Sequence, residues 1–87
     1  MFPEGDELTE ENGIAETLDC VGLYCPQPLF MTRNAIETIE IGQILEILAD
    51  DPAADSDLHA FVKRAGHEMV SFEKDDGEMR FLIRRLR

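Results

Sequence analysis

Cys25-Pro26-Gln27-Pro28 stands immediately before an amphipathic run from Leu29 to Ile39. A thiol just ahead of a helix faces unpaired backbone N–H groups and the positive end of the helix dipole, a setting that favours thiolate over thiol. The thiolate is the nucleophilic form, so Cys25 reads as a reactive cysteine. The same reasoning predicts a pKa below about 8.5, the ordinary value of a free thiol. Acidic groups elsewhere on the surface oppose this, but exposed charges more than roughly 8–10 Å away are screened at physiological salt. The other reading is a small apolar side chain that plugs a helix entrance, because free cysteine is among the most buried residue types.

The flanking prolines sharpen the position. Pro26 suits the first helical position, where a missing N–H costs nothing, and it biases Cys25 away from helical backbone angles. Pro26 and Pro28 shed their own N–H groups, so the remaining donors at the entrance are left for an anion. Pro-x-Pro can equally serve only to stiffen a loop.

The elements that must position this thiol follow from periodicity. Ile14 to Cys20 alternates weakly, with Ile14, Leu18 and Cys20 on one parity, and reads as a short strand that turns Cys20 into the core. Gly22 lies in the turn before Cys25. A first helix is predicted from about Pro26 to Ile39, with Leu29, Thr32, Ala35, Ile36 and Ile39 forming the buried stripe. Phe30 and Arg33 fall off that stripe together, as an exposed aromatic and a cation close to the thiol. Gln43 to Ala49 reads as a central strand, broken by Asp50-Asp51-Pro52. A second helix is predicted from about Asp55 to Ala65, capped by Asp55 or Ser56 and ended by Gly66. Val70 and Phe72 mark a third strand. Asp75-Asp76-Gly77 is a hairpin signal, and Met79, Phe81 and Ile83 alternate in a fourth strand. Two amphipathic helices can cover one face of four strands. The expected fold is therefore an α/β two-layer sandwich, βαβαββ, with a mixed sheet.

Composition bounds the function. With 87 residues the chain holds one small domain and no room for a deep substrate cavity. Residues 1–12 are acidic and without periodicity, which predicts a flexible leader before a domain over 13–87. The 19 acidic residues outnumber the 8 basic ones, for a net charge of −11, which argues against direct contact with nucleic acid or an anionic membrane. Such a surface is compatible with salt adaptation and equally with an ordinary acidic protein. Arg84-Arg85-Leu86-Arg87 is a local exception, read as a solvated strand end. His59 and His67 are isolated and read as structural or surface residues, so no metal site is expected. Cys20 and Cys25 are too few for a secreted disulfide scaffold, and C-x4-C is not the redox C-x-x-C spacing. The expected location is a reducing cytoplasm.

Leu18-Asp19-x-x-Gly22-Leu23-x-Cys25-Pro26-x-Pro28, then Gly42, then Ala49-Asp50-Asp51-Pro52 and finally Phe81-Leu82-Ile83-Arg84 resemble the TusA/SirA-like sulfur-carrier family, from about residue 16 to 85. The resemblance implies a βαβαββ sandwich that carries sulfane sulfur as a persulfide on Cys25, with Gly22, Pro26 and Pro28 shaping the motif and no cofactor. It implies a cysteine desulfurase, a rhodanese or another carrier as donor. The acceptor would be a protein of tRNA thiolation, cofactor synthesis or sulfur oxidation. The chain itself is expected to be a monomer. Gln27, Phe30, Arg33 and Asp51 are the residues expected to dock such partners. Cys20 lies outside the family's motif. It leaves open a redox or regulatory module built on a Cys20–Cys25 disulfide.

Overall fold

The computed structural model describes residues 13–87, and the leader expected over residues 1–12 lies outside the described residues. Along the chain come β1 (Ile14–Cys20), α1 (Gln27–Ile36), β2 (Ile44–Ala49), α2 (Pro52–Ala65), β3 (Glu68–Asp75) and β4 (Glu78–Arg84). The sheet order is β1-β2-β4-β3, with β1 and β2 parallel and the other two pairings antiparallel. This is the mixed two-layer sandwich that the sequence predicts.

Alternation in the two central strands sets the layers. Leu45, Ile47 and Ala49 of β2 and Met79, Phe81 and Ile83 of β4 join Ala35, Ile36, Ile39, Ala54, Leu58 and Val62 from the helical layer in one core. Leu58 and Phe81 are fully buried, and each such side chain stabilises the fold by roughly 1.5–3 kcal/mol. The other face of the sheet carries Arg80, whose Nε lies 2.5 Å from Glu46 Oε2 and whose second nitrogen reaches Glu73 at 3.2 Å.

The pattern fails at one end of the sheet. Register shifts in both edge strands, between Ile14 and Glu16 and between Met69 and Ser71, each insert an extra residue. A bulge reverses the facing of what lies beyond it. Ile14 therefore packs with Ile44, Leu82 and Val70 in a separate cluster, while Leu18, Cys20, Met69 and Phe72 pack on the main core. Ile14 and Cys20 share a parity but not a face, and so do Val70 and Phe72.

Both helices differ from their predicted bounds for reasons of capping. The first ends at Ile36, because the amide and hydroxyl of Thr38 both donate to the Ala35 carbonyl and turn the chain out of the helix. Ile39 remains buried outside it. The second begins at Pro52, not Asp55: the Asp51 carboxylate caps it by accepting from the Ala53 amide at 3.1 Å, and Pro52 takes the first turn, where no N–H is needed. Gly66 closes α2 in the left-handed conformation at φ 81°. Asp76 and Gly77 both take positive φ, 51° and 84°, which is the geometry of a type I′ hairpin.

Candidate functional site

Parallel strands place their following loops at the same end of a sheet. The β1–α1 loop, which holds Cys25, therefore lies beside the β2–α2 turn, which holds Asp50 and Asp51. Two backbone hydrogen bonds join them. The Gly22 amide donates to Asp50 Oδ1 at 2.9 Å, and the Cys25 amide donates to Asp51 Oδ2 at 2.7 Å. Asp51 thus uses one oxygen to cap α2 and the other to hold the cysteine loop. These two backbone donors keep its carboxyl below the ordinary range. Gly22 takes φ +87°, which L side chains rarely adopt.

Cys25 is exposed and Cys20 is fully buried, and both are free thiols. Cys20 Sγ packs 3.9 Å from Met31 Sδ. Burial first, then the nearby Asp19 carboxylate, push the Cys20 thiol above its ordinary value. Pro26, joined to Cys25 by a cis peptide bond, is the N-cap of α1, and Pro28 sits inside the first turn and is buried. The prolines are therefore one place further out than the sequence suggests, and Gln27 opens the helix, exposed, with its amide bonded to the Tyr24 carbonyl at 2.9 Å.

The electrostatics of Cys25 overturn the sequence expectation. Its Sγ lies 2.6 Å from Oδ2 of Asp57, on α2. The hydrogen bond to that carboxylate is the main cause that moves the thiol above, not below, its ordinary value, and the charges of Asp57 and Asp51 act in the same direction. A carboxylate that accepts S–H stabilises the protonated form, and two negative charges disfavour thiolate. Asp57 touches the sulfur directly, a contact the sequence reading did not include. Sequence reading placed Asp57 inside α2 but did not show that its side chain meets Cys25, a contact between residues 32 positions apart. The helical period already puts Asp57 on one face with Phe61 and Arg64, and only the packing of α2 beside the β1–α1 loop turns that face toward the thiol.

Apolar side chains flank the thiol in the chain. Val21, Tyr24, Phe30 and Met31 are all exposed, Tyr24 by 75% and Phe30 by 51%. Tyr24, the residue before the cysteine, carried no periodic signal. Arg33 turns toward α2 and lines a groove with Leu29, Asp57 and Phe61, whereas Phe30 stays outside that groove. The structure thus joins Asp51 directly to Cys25 and spreads Gln27, Phe30 and Arg33 along the exposed side of α1.

The histidines are structural. His59 packs edge-on against Phe72 with ring centres 4.8 Å apart and places Nδ1 2.7 Å from the Asp55 carbonyl. His67 Nδ1 accepts the Leu86 amide at 3.1 Å. The C-terminal basic run is more than a solvated strand end, since the Arg85 guanidinium donates to the Ile39 carbonyl at 2.6 Å.

A sequence profile of the family described as "Sulfurtransferase TusA" matches residues 16–85. A relative from Archaeoglobus fulgidus, described as "Putative sulfur carrier protein", is 56% identical over 68 residues, covering 77% of this chain and 88% of the relative. Among solved structures, a SirA-like protein from Desulfitobacterium hafniense shares the fold with a TM-score of 0.72. It is 24% identical, and the match covers 83% of this chain and 99% of that one. No helix among the described residues is long and apolar enough to cross a membrane.

Proposed function

The chain belongs to the TusA sulfurtransferase family, and from that premise we propose that it is a sulfur carrier that holds sulfane sulfur as a persulfide on Cys25. The observation that carries this reading is an exposed free thiol on a loop tied at two points to the next turn. An exchange partner must approach the sulfur in line, which needs exposure, and a tethered loop presents the sulfur in one place. In the loading step Cys25 Sγ attacks the outer sulfur of a donor persulfide. The donor's S–S bond breaks, the donor leaves as its thiol with the proton lost by Cys25, and no electrons change hands overall. The donor is a cysteine desulfurase, a rhodanese or another carrier in a reducing cytoplasm. The acceptor is a downstream protein of tRNA thiolation, cofactor synthesis or sulfur oxidation. Gly22, Pro26 and Pro28 shape the loop, and Gln27, Phe30, Arg33 and Asp51 border the docking surface.

A Cys20–Cys25 disulfide is disfavoured by the burial of Cys20, which would have to leave the core to reach solvent. Mass spectrometry after incubation with a sulfane-sulfur donor tests the reading. One added sulfur on Cys25, retained in Cys20→Ser and lost in Cys25→Ser, is the expected result. Loss of two hydrogens without added sulfur would sink it.

A further inference from the structure

Two adjoining hollows of about 360 and 320 Å³ share Arg33, Phe61 and Ala65, and together they form one groove between α1 and α2 that runs on to the C-terminus. Its charge is opposite to that of the chain. Arg33, Arg64, Arg85 and Arg87 line it against only Asp57 and Glu37, although the whole protein carries −11. Half of the 8 basic residues thus converge on one face. Among the described residues, no Asp or Glu side chain pairs with any of these four arginines, although Arg85 already donates to the main-chain oxygens of Glu37, Ile39 and Arg87. The positive potential is felt inside the groove, where burial first and then Arg85 and Arg87 push the His67 imidazole below its ordinary pKa. Leu29, Phe61 and Ile36 supply an apolar floor. One end of the groove is Asp57, the residue in contact with the Cys25 sulfur.

We propose that this groove receives an extended acidic segment, carrying an apolar side chain, of the protein that exchanges sulfur with Cys25. The identity of that partner as a sulfur donor or acceptor rests on the carrier reading above. The stretch of α2 from Asp57 to Ala65 is about 12 Å long at about 1.5 Å per residue, which matches about four residues of extended chain at about 3.3 Å each. Acidic side chains of the segment pair with Arg33, Arg64 and Arg87, and its apolar side chain fills the space over Phe61. Unpaired cations in an otherwise acidic surface attract such a segment and repel basic competitors. They also fix its direction relative to the thiol.

The test uses backbone amide shifts of the full chain, titrated at physiological salt with a short peptide of alternating glutamate and leucine. Saturable shifts confined to the groove-facing stretches of α1, α2 and the C-terminus are expected. A counterpart peptide with glutamine in place of glutamate should bind at least about tenfold more weakly, as should the glutamate peptide to an Arg64→Glu/Arg87→Glu variant. Non-saturable shifts, or equal binding of the two peptides, would overturn the proposal. A full-chain variant with Glu4, Glu7, Glu10 and Glu11 changed to Gln and Asp6 to Asn is compared without peptide. If its groove amides move, the chain's own leader is the occupant and the partner assignment is wrong; unchanged amides uphold it. Loading of wild-type Cys25 by a sulfane-sulfur donor is measured separately. Its failure would remove the carrier reading while leaving the peptide result to stand by itself.

Discussion

The Cys25 sulfur lies 2.6 Å from a carboxylate oxygen of Asp57, 32 positions further along the chain and on the other helix. The contact makes the resting thiol harder to ionise and joins the loop to the groove between the helices. Asp57→Asn removes the charge and the stronger acceptor while keeping the shape. Its alkylation profile should move to lower pH than that of the wild type, with a faster rate at neutral pH. Iodoacetamide rates against pH decide this, and an unchanged or higher midpoint would show that Asp57 does not control the thiol.

Asp51 joins the same loop to the start of α2 by accepting from both the Cys25 and Ala53 amides. Asp51→Ala removes a helix cap and a loop tether together. The expected result is a Tm lower by roughly 4–8 °C and faster hydrogen exchange at the Cys25 amide. The sign with pH follows from its depressed pKa. The stabilisation is present above the unfolded-state carboxylate value, about 3.9, and is lost as pH falls through the lower folded-state value. Acid denaturation of Asp51→Ala should therefore lack this part of the pH dependence.

The architecture was legible because it rests on alternation and turn signals that are local. Leu45, Ile47 and Ala49 face the helices as their period demands, and Asp76-Gly77 turns the hairpin. The facing of Ile14 and Val70 was not legible, because a bulge is set by pairing with another strand. At the site, Cys25 and its tether Asp51 could be found from the motif and from parallel strand order. The direction of the thiol's pKa could not, because it depends on one carboxylate brought in by the packing of α2. An N-cap Asp followed by Pro was present at Asp51-Pro52, and giving it more weight would have corrected the start of α2.

The two cysteines should differ sharply in access. Cys20 is fully buried and its thiol is pushed up by burial, whereas Cys25 is open to solvent. Under native conditions a mild excess of alkylating reagent should label Cys25 alone, with Cys20 reacting only after addition of denaturant. Cys20→Ser should cost roughly 1–3 kcal/mol, because a polar hydroxyl whose neighbour is the weakly accepting Met31 sulfur enters a fully buried site. Denaturant unfolding measures the loss. Equal native labelling of both cysteines would mean that β1 opens readily and that Cys20 is available for exchange.

Phe30 and Arg33 test where a partner docks. Phe30 is half exposed on α1, and Arg33 lies one turn further on, lining the groove beside Asp57. If the docking surface proposed above is right, a donor covers this part of α1, and a few residues at the centre of such a contact set its affinity. Phe30→Ala removes apolar contact area, and Arg33→Glu reverses a charge beside the path to the thiol. Each should slow transfer from a protein donor by about tenfold, which corresponds to about 1.4 kcal/mol. Loading by a small-molecule sulfane donor should be measured alongside, because it separates docking from chemistry. If both variants accept sulfur from the protein donor at the wild-type rate with their fold intact, the partner approaches Cys25 from the Tyr24 side of the loop instead.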